Sequence, residues 1–407
     1  MTVFLMQGGL RDARSLGAAL GWIEAGRSMG FALRIHASRD IPPAIRAATG
    51  AVPTFTWAPD AQPVRDPAYD RLGNLVELGL QFAADCRSIP LDAVGAADLI
   101  VLDDACPGDI FGLSLWLDRL PPDRRPRVHC QFRAPDFDWT VNAAAGTVVG
   151  DTVHHRYAME RLERCAGRER TVFAAAAPQL CAALASIAGR CRLSPAGVHV
   201  VDAATEARLL ARPPSPHDIA ILGHLRPEHG SAGLVEILKR FAAHRPGRSA
   251  LVQLRQPEQA ARLRQAMAEG PPLALTTVAG DQSMEDHARA LLSSRIVLLP
   301  YSPARYRMRV SGIMAEAAAY GRPVVVPGRT WMGEQVAGGA VAGVVFEVPS
   351  AEAAAEAAAA ALDRLPQLAA AATGLRAAWR RQHSFAAYVR FVRHHGRPDE
   401  GSVCAST

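Results

Sequence analysis

Short apolar runs alternate with longer amphipathic segments along nearly the whole chain, and the series restarts after a single interruption. Alternation of this kind is the signature of βα units winding a parallel sheet, because strands covered on both faces read as near-continuous apolar runs. In the first series the runs are 3–6, 31–35, 99–102, 128–132, 171–174 and 198–201, with helix-like stretches at 16–29, 72–84, 110–120, 153–165 and 179–188. Periodicity stops at Ala211-Arg212-Pro213-Pro214-Ser215-Pro216, where three prolines favour an extended connector. A second series follows at 219–222, 250–254, 273–278, 296–299, 323–326 and 344–348. The expected fold is therefore α/β, with two doubly wound Rossmann-like domains. The proposed boundaries are 1–212 for the first domain, 213–375 for the second and 376–407 for a terminal helix and tail. A length of 407 residues suits two hydrophobic cores better than one.

Several classes of protein are excluded or disfavoured by what the chain lacks. No stretch approaches the ~20 apolar residues needed to cross a bilayer, and Met1-Thr2-Val3-Phe4-Leu5-Met6 carries neither a basic flank nor a cleavage pattern. The seven cysteines are odd in number and none are at C-x-x-C spacing, which argues against a disulfide framework or zinc site. A cytoplasmic protein without a metal is the expectation. The formal charge of +6 is spread over many arginines and a single lysine, Lys239, without the dense basic stripe of a nucleic-acid binder. Ser-His-Asp order, a Walker loop and a G-x-G-x-x-G after a strand are also missing.

Two segments of the second series carry chemistry. The first is Ile219-Ala220-Ile221-Leu222-Gly223-His224-Leu225-Arg226-Pro227-Glu228-His229-Gly230, a buried strand opening into a glycine-bearing loop ahead of a helix near Leu234. Free backbone N–H groups and a helix N-terminus there suit a phosphate, and Arg226 adds a bidentate donor. An ordinary βα turn is the competing reading. The second is a strand ending at Leu299, then Pro300-Tyr301-Ser302-Pro303-Ala304-Arg305-Tyr306-Arg307-Met308-Arg309-Val310, then Ser311-Gly312 opening a helix that bears Glu316 and stops before Gly321. Ligands of open α/β sheets collect at the carboxyl ends of strands. Arg305, Arg307 and Arg309 offer phosphate contacts there, and Glu316 offers an acceptor for ribose hydroxyls.

This order of strand, loop, small residues, Glu-Ala helix and Gly-x-Pro-Val-Val, with the Gly223–Gly230 loop before it, resembles the donor half of GT-B-fold glycosyltransferases. The likeness is to the large retaining group that builds bacterial polysaccharides. It covers most of 217–365, and over the first half it is architectural. It implies two Rossmann-like domains facing across a cleft, a nucleotide-diphosphate sugar as substrate, no metal and no other cofactor. The donor set it implies is Gly223, Arg226, His229, Arg305, Tyr306, Arg309, Ser311, Gly312 and Glu316. Three positions depart from that family. Met308 stands where the first of its two glutamates is found, while His224 and His229 stand where its loop carries Arg and Lys.

In the first domain the acceptor side is expected at the strand ends: Gly8 and Gly9 after the first run, Asp103 and Asp104 after another, and Arg133 and Asp136 after a third. Gly8, Gly9 and Arg133 are candidates for acceptor binding, and Asp103, Asp104 and Asp136 for taking the acceptor proton. His129 reads as a core histidine, whereas His154 and His155, opening a helix, read as surface residues. The acceptor would be a glycan, a lipid-linked sugar or a protein, and nucleic acid is not expected. The segment from Trp379 to His395 reads as one amphipathic helix in a stretch rich in arginine and free of acidic residues. It either packs through Trp379, Phe385, Tyr388 and Val392 or makes a peripheral contact with an anionic membrane. A non-catalytic sugar-nucleotide binder and a sugar-nucleotide epimerase of the same fold are the alternative functions.

Overall fold

The computed structural model describes residues 1–10, 13–56, 71–134, 139–141, 147–198, 201, 203–211, 216–223, 226–280 and 282–396. Its contacts divide the chain into two compact units, residues 1–197 with 385–407 and residues 198–384.

The first unit is built on a seven-stranded parallel sheet. Its strands are β1 (Thr2–Gln7), β2 (Ala32–Ser38), β3 (Val52–Phe55), β4 (Leu99–Asp103), β5 (Arg127–Phe132), β8 (Thr171–Ala175) and β9 (Arg192–Leu193). A two-stranded antiparallel pair, β6 (Trp139–Val141) with β7 (Val148–Gly150), lies between β5 and β8 in the chain. The sheet order is β3-β2-β1-β4-β5-β8-β9, so the winding reverses between β1 and β4. One face is covered by Trp22 of the helix Ala13–Met29 and by Tyr388, Val389 and Val392 of the helix Phe385–Arg393, packed on Val3, Leu5, Leu99 and Val101.

The second unit repeats the plan with β10 (His217–Ile221), β11 (Ser249–Leu254), β12 (Ala274–Ala279), β13 (Ser294–Leu298), β14 (Val324–Pro327) and β15 (Gly343–Phe346). Their order, β12-β11-β10-β13-β14-β15, is again all parallel and reverses between β10 and β13. The alanine-rich segment forms the helix Ala351–Asp363, capped by Ser350, whose hydroxyl accepts the Ala353 N–H. Ala354, Ala358 and Ala361 of that helix pack with Leu238, Phe241 and Ile296 in the core. Alanine supplies helix propensity there and lets the helix sit close to its neighbour.

Of the run expected at 198–201, Val198 makes an isolated parallel bridge to Ser384, and residues 199 and 200 lie outside the described residues. The terminal segment is two helices, Leu365–His383 and Phe385–Arg393, broken at Ser384, whose backbone is extended. Trp379 belongs to the second unit and donates its indole N–H to Ala315 O, whereas Phe385 and Tyr388 pack on Trp22 in the first. Arg376 and Arg380 bind Glu206, and Arg393 donates to Met29 O. The helix Ala203–Ala211, upstream of the proline-rich connector, packs on the helix Met284–Ser293 and so falls within the second unit.

Candidate functional site

The reversal between β10 and β13 puts the two loops picked out from the sequence side by side at the carboxyl ends of these strands, the usual ligand position in an open sheet. They are tied into one body. The Ser302 N–H donates to Glu228 O at 2.8 Å, His229 Nε2 lies 2.8 Å from the Tyr306 hydroxyl, and the His229 ring stacks on Tyr301 at 4.6 Å. Gly230, at φ 81, brings its backbone so close that a Cβ would sit 2.4 Å from Pro300 O. Only glycine meets both demands there. Gly223, at φ 94, is held by its N–H donating to Gln253 Oε1 at 2.8 Å.

Around this body the cations divide by burial. Arg226 and Arg305 are exposed, and Arg309 is half-buried with its guanidinium 5.7 Å from the centre of the Tyr306 ring, a cation–π distance. Arg307 is also half-buried, and its Nε is sealed from water without a hydrogen-bond partner. Ser311 caps the helix Gly312–Ala319 by accepting the Met314 N–H at 3.2 Å, and the helix stops at Gly321, whose φ is 67. The positive end of that helix therefore lies at Ser311 and Gly312, in the same chain segment as the arginines. Met308 is buried.

Glu316 sits on the same helix, and its carboxylate accepts from His287 Nε2 at 2.6 Å. His287 had no signal in the sequence, because it belongs to the helix Met284–Ser293, ahead of β13, and carries no motif spacing to Glu316. Gln253 was equally invisible, since it ends an ordinary buried strand. His224 lies outside the described residues.

At the corresponding reversal of the first sheet, Asp103 ends β4 with its side chain 1% exposed and its Oδ1 accepting from Arg133 at 2.6 Å. The other oxygen, Oδ2, is buried without a hydrogen-bond partner, as is Gln7 Oε1 at the end of β1. The charge of Asp103 raises Arg133 further above its ordinary range; burial, aided by that charge, pushes the Tyr388 phenol well above its ordinary range. Asp104 is exposed and adopts φ 81, its N–H donating to Gln131 O at 3.1 Å. A Cβ on Gly9 would meet nothing within 4 Å, and Gly8 and Gly9 form the turn after β1. Asp136 lies outside the described residues.

Asp109 was not anticipated. It sits in the first turn of the helix Pro107–Leu117, and burial, aided by the charge of Asp104, lifts its carboxyl to about 7 against hydrogen bonds from Cys106. His129 is fully buried beside Tyr388 and Phe391, and burial lowers it to about 4, as suits a core histidine. His154 and His155 are buried, contrary to the surface reading: Trp139 packs on His155 and donates its indole N–H to His155 Nδ1 at 3.3 Å, and the His154 ring packs on that of His155. The strand pair Trp139–Val141 and Val148–Gly150, just ahead of them in the chain, supplies that cover.

Two doubly wound parallel sheets, each with the reversal described, are the GT-B fold, and the resemblance to GT-B glycosyltransferases extends over the whole chain. Anabaena HepE in complex with UDP matches at a TM-score of 0.62 and 14% identity, covering 97% of this chain and 98% of that one. WaaG, a glycosyltransferase involved in lipopolysaccharide biosynthesis, matches at 0.54 and 13%, covering 97% and 99%. A putative UDP-N-acetylglucosamine 2-epimerase from Listeria monocytogenes matches at 0.57 and 10%, covering 97% and 96%. No protein-family model and no curated protein matches the sequence.

Proposed function

We propose that this chain is a glycosyltransferase that takes a sugar from a nucleotide-diphosphate sugar and delivers it to a hydroxyl of a glycan, lipid-linked or protein acceptor. The observation that carries this reading is the joined pair of loops at the β10/β13 reversal, with Arg305, Arg307 and Arg309 leading into the N-terminus of the helix that bears Glu316. Breaking the anomeric C–O bond leaves negative charge on the departing diphosphate, and fixed cations and helix N–H groups stabilise that charge without reorganising. Glu316 takes the ribose hydroxyls. The first unit holds the acceptor at Gly8, Gly9 and Arg133, and one of the carboxylates Asp103, Asp104 and Asp136 takes the proton of the acceptor hydroxyl.

The test is a titration of the full chain with UDP-, GDP- and ADP-sugars and their free diphosphates. A ligand at a hundred times its dissociation constant should raise stability by about 2.7 kcal/mol. Arg305→Ala and Arg309→Ala should then lose more turnover than donor affinity, since their charge is felt most as the leaving group departs. Failure of every nucleotide to stabilise the protein would sink the reading. The likeness to the Listeria protein favours one second reading, an epimerase of the same fold. Conversion of the donor sugar to its epimer with no acceptor present would establish that activity instead.

A further inference from the structure

The contact between His287 and Glu316 joins two helices that are each fixed by other means. The helix Met284–Ser293 begins at Ser283, whose Oγ accepts the Asp286 N–H at 3.1 Å, and its Leu291, one turn beyond His287, is fully buried. That sets the rotation of the helix and aims the imidazole. The helix Gly312–Ala319 is anchored by its Ser311 cap and by the Trp379 indole N–H donating to Ala315 O at 2.9 Å. Between them the His287 and Glu316 side chains are 22% and 12% exposed, with Nε2 and Oε2 2.6 Å apart. A short contact between partly buried groups on rigid elements fixes the plane of the carboxylate.

A glutamate otherwise has three side-chain torsions to immobilise before it can take two hydroxyls at once. A carboxylate offers about four acceptor directions, so accepting from His287 is compatible with accepting from a vicinal diol. We propose that His287 is a positioning residue which, by donating to Glu316, holds its carboxylate in the orientation that accepts both hydroxyls of a nucleotide ribose and so sets the preference for ribonucleotides over deoxyribonucleotides. This rests on the reading of the second unit as the nucleotide-binding half.

The full chain is titrated by calorimetry with UDP, GDP and ADP and with the 2′,3′-dideoxy form of each. The parent should bind at least one ribonucleotide more tightly than its dideoxy form. His287→Ala should weaken the ribonucleotide roughly tenfold, the size of a lost contact to a charged group, and leave the dideoxy form unchanged. Adding His287→Ala to Glu316→Gln should cost nothing further, because both act through one contact. His287→Asn, which keeps an N–H donor, should recover part of the preference; it also serves as the test if the alanine variant does not fold. Equal weakening of both ligand forms, or an unchanged ribonucleotide affinity, would overturn the inference while leaving the nucleotide-binding reading standing. A parent that binds none of the three ribonucleotides would overturn both.

Discussion

At the strand reversal of the first sheet the chain gathers Asp103, Asp104 and Asp109 beside one arginine, Arg133; at the same point of the second it gathers His229, Arg305, Arg307 and Arg309. The strand order around the two points is the same over six strands. Topology therefore makes each reversal a place where side chains converge, and side-chain chemistry decides what that place can hold. The acidic end suits a hydroxyl that must lose a proton, and the basic end suits phosphate. Packing differs as well. The basic loops are braced by aromatic rings and glycine close approaches, whereas the acidic end is braced by the Asp103–Arg133 pair.

If the two units are separate cooperative bodies, the largest effects come from the broken terminal segment. Trp379→Ala and Tyr388→Ala should each cost about 3 to 5 kcal/mol, the usual range for emptying a buried aromatic site. Hydrogen exchange should show the loss over 198–384 for the first variant and over 1–197 with 385–407 for the second. Loosening of both units by either variant would dissolve the distinction.

A sharper contrast comes from exchanging charge for a neutral isostere at each reversal. Glu316→Gln should weaken nucleotide binding by roughly 1.5 to 3 kcal/mol, as expected for a hydrogen bond to a charged acceptor. Asp103→Asn, in the other unit, should leave nucleotide affinity as it was and depress transfer to the acceptor. Calorimetry and a transfer assay read the two effects separately, and a drop in nucleotide affinity with Asp103→Asn would contradict the division of roles.

The smallest effect tests the acidity of the first unit's sheet edge. Asp109 is held at about 7 when folded against an ordinary 3.8, so folding takes up a proton between those values and stability falls as pH rises through that window. Asp109→Asn cannot ionise and should match the parent near pH 4. At pH 8 it should be more stable by about 1 to 2 kcal/mol, well below the full shift because part of the side chain still meets water. His36 and His129, lowered to about 4 by burial, impose the opposite trend on both proteins and cancel in the difference. Denaturant melts across pH that show no divergence would remove Asp109 from the acidic cluster.

The element series, the second sheet's two loops and the helix opening at Ser311 were legible because each is written in residues close together along the chain. Gly223, Gly230, Arg305 and Glu316 could be singled out for that reason. Short strands such as Val52–Phe55 and the pair Trp139–Val141 with Val148–Gly150 were not, since so few residues show little periodicity. The burial of His154 and His155 depends on that pair and was misread with it.

By itself the sequence determined the longer strands and helices, that they repeat in two series, and which loops carry charge, because apolar period, proline and glycine act over a few residues. Only the tertiary structure decided that His287 meets Glu316, that Gln253 holds Gly223, and that the helix after Leu365 breaks at Ser384 to place Trp379 in one core and Tyr388 in the other. Those outcomes depend on the order in which strands lie side by side. Parallel βα units can be wound in more than one order, and no local pattern encodes the distance between residues that the winding brings together.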